Sequence, residues 1–132
     1  MAPLGEVLIV DDSDPDLLYT RIVLEQAGVA QRVRPLETAA EALAWLQAPE
    51  GQAVDAVLLD INMPEMNGFE FLDAYQPLHD ARIAHAQVVM LTSSPHPADR
   101  ARALAYDCVR GYLVKPIDAE AARALAGMVR GR

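Results

Sequence analysis

The sequence predicts an α/β protein, a doubly wound five-stranded parallel sheet with five helices packed in three layers. Three observations carry this. Apolar runs alternate with amphipathic stretches five times along the 132 residues. The strongest runs, "EVLIV", "DAVLLD" and "QVVMLT", are apolar almost throughout, as strands buried on both faces are. Several of the intervening stretches open with helix-start residues. Right-handed crossovers between parallel strands then put helices on both faces of the sheet.

Each element has its own signal. Residues 6–10, "EVLIV", read as a fully apolar strand. Residues 12–28 read as a helix capped by Ser13 or Asp14. Pro15 sits early, where its missing N–H does no harm, and Gly28 stops the helix. Residues 31–36, "QRVRPL", make a weak strand. Residues 38–48 open with a capping box, Thr38 and Glu41, and continue as a helix. Residues 55–60 are the second strong strand. Residues 68–78 start as a helix that Pro77 is expected to interrupt. Residues 87–92 are the third strong strand, and residues 97–107 a helix with Pro97 at its start. Residues 109–114 are the last strand, and residues 118–131 a closing helix capped by Asp118. No repeat, low-complexity tract or linker interrupts the pattern, so the expectation is one domain over residues 1–132 with no output domain.

Composition narrows the function. Apolar residues make up 52% and charged residues 23%, enough for a real core. Aromatics are 5%, so that core is aliphatic and alanine-rich. A formal charge of −8 argues against nonspecific binding to nucleic acid or anionic membrane, and suits a cation site or a basic protein partner. The single cysteine, Cys108, permits no internal disulfide and reads as a small buried residue. The N-terminus carries no signal-type segment, and no apolar run reaches the length of a membrane span. A soluble cytoplasmic protein is expected.

In a parallel sheet the functional site lies at the carboxyl ends of the strands. The first strand ends at Asp11 and Asp12, the third at Asp60, the fourth at Thr92 with Ser93 and Ser94 after it, and the fifth at Lys115 and Pro116. Taken singly, these are ordinary: acids at helix starts, a turn aspartate, a strand threonine, a surface lysine. Together they place three carboxylates, a hydroxyl and an ammonium on one rim. Lys115 is the only lysine among eleven Lys and Arg residues, a compact point charge where the chain otherwise uses the wide arginine fork. Close carboxylates favour a proton or a hard cation. Mg²⁺ takes one or two carboxylates together with waters and phosphate oxygens. A carboxylate also serves as a nucleophile that forms an acyl phosphate, and phosphoryl transfer needs mainly positioning and charge stabilisation.

Over residues 5–127 the chain resembles the response-regulator receiver domains of two-component signalling. "LIVDDS", "DAVLLDINMPEMNGFEFL", "VVMLTSS" and "YLVKPID" carry the resemblance. It implies the flavodoxin-like strand order 2-1-3-4-5. It also implies Asp60 as phospho-acceptor, with Mg²⁺ held by Asp60, directly by Asp12, through the backbone carbonyl of Asn62, and by Asp11 mainly through water. Thr92 would contact the phosphoryl group and Lys115 would pair with it, its bond to Pro116 being cis. Thr92 and Tyr112 would form the switch. Pro64 and Gly68 would shape the loop after Asp60, and Asn62 and Ser94 would flank the path of hydrolytic water. The implied partners are a sensor histidine kinase or phosphotransfer protein, a downstream protein, and a second copy docked through the face from the fourth helix to the fifth. The motifs and the lack of an output domain are similar to stand-alone receivers, including some that serve phytochrome-type histidine kinases. Ser93 stands where many receivers carry alanine, and the connection over residues 75–87 is long.

Two other functions compete. A degenerate receiver would act as a phosphorylation-independent interaction scaffold, which the intact Asp11, Asp12, Asp60, Thr92 and Lys115 argue against. An aspartyl phosphohydrolase would want a second aspartate two positions after Asp60, where this chain has Asn62. His79, His85 and His96 lack metal-ligand spacing and read as surface or loop residues. Trp45 reads as packing, as do Met63 and Met66. The acidic run "DDSDPD" lacks the glycine and closing glutamate of a calcium loop.

Overall fold

Five strands and five helices alternate: β1 (Leu4–Val10), α1 (Asp14–Ala27), β2 (Ala30–Leu36), α2 (Ala39–Gln47), β3 (Val54–Leu59), α3 (Gly68–Asp80), β4 (Gln87–Thr92), α4 (Pro97–Leu104), β5 (Val109–Val114) and α5 (Ala119–Arg130). The structure, a computed structural model, describes residues 2–93 and 96–130. Ser94, expected beside the water path, lies outside them. The strands form one parallel sheet in the order β2-β1-β3-β4-β5.

Period-two alternation splits the buried strand residues between two cores. Leu8, Val10, Val57, Leu59, Val88 and Met90 face α2 and α3. Val7, Ile9, Ala56, Leu58, Val89 and Leu91 face α1 and α5. This explains why β1, β3 and β4 read as unbroken apolar runs. β2, the weak strand, is an edge strand, and its Pro35 is tolerated there.

The helix caps refine the sequence reading. Ser13 is the N-cap of α1, with Asp14 the first helical residue, and Gly28 closes the helix at φ 66°. Asp118 Oδ1 accepts the Ala121 N–H at 2.8 Å and starts α5. At α2, Thr38 Oγ1 accepts the Glu41 N–H at 3.1 Å, but the Glu41 carboxylate takes the Thr38 hydroxyl rather than its backbone N–H. The reciprocal capping box is at α3, between Asn67 and Glu70. His96 caps α4 through Nδ1.

The main departures from expectation lie at α3, at α4 and before β3. Pro77 does not interrupt α3, which runs on to Asp80. A mid-helix proline costs about 3 kcal/mol. The face carrying Phe71, Leu72 and Tyr75 is fully buried, and each such side chain contributes about 2 kcal/mol, so packing wins. α4 stops at Leu104 rather than residue 107. The Cys108 carbonyl must accept the Val88 N–H at 2.8 Å, and this pulls the chain back toward the sheet. A 3-10 turn, Pro49–Ala53, fills the segment before β3.

Trp45 packs as expected, and it also donates from Nε1 to Glu6, at 3.1 Å, beneath the Arg34 guanidinium. Glu6 is buried, and Arg34 and Trp45 satisfy its two oxygens. Cys108 is buried. The Tyr75 hydroxyl donates to the buried Ala86 carbonyl at 2.7 Å. Tyr75→Phe should therefore lower the unfolding free energy by about 1–3 kcal/mol, the cost of leaving that carbonyl unpaired. Urea denaturation of the two proteins measures this, and equal midpoints would show that the bond contributes nothing.

Candidate functional site

The sheet ladder continues one residue past several strands and so places the rim residues. The Asp60 N–H donates to the Val10 carbonyl at 3.0 Å, setting Asp60 beside Asp11. The Asp11 N–H donates to the Leu36 carbonyl at 3.1 Å. The Lys115 N–H donates to the Thr92 carbonyl at 2.7 Å. Carboxylate oxygens of Asp11, Asp12 and Asp60 all lie within 4.8 Å of one another. Lys115 Nζ is 2.7 Å from Asp11 Oδ2 and 3.7 Å from Asp60 Oδ1. Thr92 is buried at the end of β4, and the Lys115–Pro116 peptide is cis.

The loop after Asp60 is held by close backbone packing. The Gly68 N–H donates to the Ile61 carbonyl at 2.8 Å. A Cβ on Gly68 would sit 2.7 Å from the Asp60 carbonyl oxygen, so only glycine lets α3 start this close to the acid. Met63 is buried and Met66 packs against the core, as expected of loop packing. Asn62 is exposed. Tyr112 is half-buried, pairs in register with Met90, and packs against the core on the α4 side. Burial and the nearby Asp99 charge push its hydroxyl above the ordinary tyrosine value.

The electrostatics follow from crowding. Asp60 is 6% exposed. Burial above all, then the Asp11 charge, push its pKa up to about 6, against the opposing pull of Lys115 and the Ile61 N–H. Burial alone would lower Lys115, but hydrogen bonds to Asp11 and Asp16 and the Asp60 charge outweigh it and hold the ammonium above its ordinary value.

The donor set fits Mg²⁺. The three clustered groups are hard oxygen donors, and the exposed Asp12 leaves room for the waters that ion keeps. Asp11 has one oxygen on Lys115 and the other on the Ser13 N–H at 2.9 Å, which leaves Asp12 the freer carboxylate for direct ligation.

The sheet thus brings together Asp11, Asp12, Asp60, Thr92 and Lys115, with Tyr112 on the neighbouring strand. Sequence reasoning missed Asp16, whose Oδ2 lies 3.0 Å from Lys115 Nζ. The signal was present in "DDSDPD": the last acid falls in the first turn of a helix that begins at this rim.

The fold is a covered parallel α/β sheet with an acid cluster, a lysine and a hydroxyl at its carboxyl edge, and comparison with known proteins narrows the class. The response regulator receiver domain family model matches residues 7–126, and the chain belongs to that family. It is similar to a two-component response regulator from Cytophaga hutchinsonii, with a TM-score of 0.84 and 26% identity, over 98% of this chain and 99% of that one. It is also similar to the bacteriophytochrome response regulator RtBRR, with a TM-score of 0.79 and 28% identity, over 96% of this chain and 78% of that one. A probable cyclic di-GMP phosphodiesterase of Vibrio cholerae is 35% identical over 84% of this chain, which spans 23% of that protein's length. The family is one of signalling modules. Among the described residues no helix is long and apolar enough to cross a membrane.

The raised Asp60 pKa has a consequence for stability. The folded state binds the Asp60 proton more tightly than the unfolded chain, whose ordinary value is 3.8. Ionised Asp60 therefore costs stability above pH 6, and that cost is relieved as pH falls through 6 toward 4. In metal-free solution, Asp60→Asn should gain about 1–3 kcal/mol at neutral pH, at 1.36 kcal/mol per pKa unit. Urea melts across this range should show the gain shrinking toward low pH, and a pH-independent difference would contradict the electrostatic origin.

Proposed function

We propose that this chain is a receiver that accepts a phosphoryl group on Asp60. The observation that carries this reading is Asp60 itself, nearly buried at the strand end, 3.7 Å from Lys115 and clustered with Asp11 and Asp12. At neutral pH a carboxyl with a pKa of about 6 is mostly ionised and nucleophilic. One of its oxygens forms a bond to phosphorus as the bond from phosphorus to the donor breaks, and the donor keeps the electron pair. In the cell the donor is a phosphohistidine of a sensor kinase or phosphotransfer protein.

Lys115 and the Thr92 hydroxyl bind the transferred oxygens. Asp12, Asp60 and the Asn62 carbonyl would hold Mg²⁺, with Asp11 acting through water. The ion would supply charge neutralisation at the phosphoryl group. The chain catalyses only its own phosphorylation and dephosphorylation, and acts in the cytoplasm. Its output is a change of protein contacts, read through Thr92, Tyr112 and the face from α4 to α5, where a second copy or a downstream protein docks. The likeness to RtBRR supports a phytochrome-type kinase as the source.

Incubation with Mg²⁺ and acetyl phosphate, followed by intact-mass measurement, should show one added phosphoryl group that is lost in Asp60→Asn and in a chelator-treated sample. No added mass under conditions that modify a known receiver would favour the scaffold reading instead. Multiple turnover on small phosphoesters would favour a phosphohydrolase.

A further inference from the structure

Lys115 has three ammonium protons, and two are in use. Its Nζ lies 2.7 Å from Asp11 Oδ2 and 3.0 Å from Asp16 Oδ2, both hydrogen-bonding distances. Asp60 Oδ1, at 3.7 Å, is an ion-pair partner beyond that reach. The two bonded carboxylates differ in kind. Asp11 is 1% exposed and its other oxygen is engaged by the Ser13 N–H, so it is locked in place. Asp16 is 47% exposed and borders a cavity of about 320 Å³ that also meets Tyr19, Thr20, Ser93, Lys115 and Pro116. Its carboxylate can turn into that space and be solvated, so losing Lys115 strands no buried charge.

We propose that Asp16 is a positioning residue that holds the Lys115 ammonium on the outer side of the site, and that phosphorylation of Asp60 draws the ammonium off Asp16. The inference rests on the phosphoacceptor reading of Asp60. A phosphoryl group brings close to two negative charges to the site, where a half-exposed carboxylate offers one. Asp16 also adds a fourth acid to a rim that already holds three, and so opposes an incoming phosphoryl group. Both effects favour the unphosphorylated state. Removing the Asp16 charge therefore shifts the balance toward the phosphorylated one, while Asp11 alone still keeps Lys115 in the site.

Asp16→Asn preserves size and position in the first turn of α1, and Asp16→Glu preserves charge. With acetyl phosphate at subsaturating concentration and Mg²⁺ present, the ratio of phosphorylated to unphosphorylated protein should rise about threefold in Asp16→Asn, as expected for loss of a partly exposed ion pair. It should stay near the wild-type ratio in Asp16→Glu. A second readout follows the contact itself. Lys115 is the only lysine, so protein labelled with ¹⁵N at the lysine side chain has a single ammonium resonance. Asp16→Asn should shift that resonance in the unphosphorylated protein, and the wild-type and variant resonances should converge once both are phosphorylated. An unchanged ratio in Asp16→Asn, or resonances as far apart after phosphorylation as before, would overturn this inference alone. A wild-type protein that takes up no phosphoryl group would overturn it together with the phosphoacceptor reading.

Discussion

Lys115 neutralises an acidic rim that would otherwise repel itself. Its ammonium bonds Asp11 and Asp16 and lies in ion-pair range of Asp60. Burial strengthens both the attraction and the repulsion, because water no longer screens them. The balance is incomplete: burial above all, and then the Asp11 charge, keep the Asp60 pKa raised to about 6 against the pull of Lys115. The clustered carboxylates left after Lys115 could hold a cation. The geometry of the site depends on the sheet: the ladder bond from the Lys115 N–H to the Thr92 carbonyl sets one side of the cleft, and the bond from the Asp60 N–H to the Val10 carbonyl sets the other.

Packing ties this electrostatic centre to the helices beside it. Gly68 lies against the Asp60 backbone, and the next residue, Phe69, is buried with the Arg102 guanidinium of α4 4.0 Å from its ring centroid. The Tyr106 hydroxyl, just past α4, donates to Asp73 on α3. Tyr112, on β5 and paired with Met90 of β4, is near the charges of Asp99 and Arg100 on α4. α3 and the C-terminal end of α4 are thus joined by two contacts, one of them at the rim end of α3. The rim end of α3, directly after Asp60, is therefore packed against the helix next door.

The cost of the site is offset by the layers beneath it. β1, β3 and β4 are covered on both faces by separate apolar cores. The same burial decides smaller conflicts. Pro77 stays inside α3 because the face carrying Phe71, Leu72 and Tyr75 outweighs one lost helix bond. Glu6 is tolerated in the sheet interior because Arg34 and Trp45 satisfy both of its oxygens.

Much of this was legible from sequence. Unbroken apolar runs determined that β1, β3 and β4 lie in a covered parallel sheet, and the residues just past them determined what collects at its carboxyl edge, because strand ends map onto one rim once the strands are parallel. Caps with short-range chemistry, such as Ser13, Gly28 and Asp118, were equally visible. What the tertiary structure alone decided depends on groups far apart in the chain. Asp16 meets Lys115 across 99 residues, Tyr106 meets Asp73 across 33, and α4 ends early because Cys108 must reach Val88. Local sequence encodes propensity, hydrophobic period and capping. It does not encode which of several nearby acids a distant lysine will reach, because that choice is made by the register and packing of elements that meet only in the folded chain.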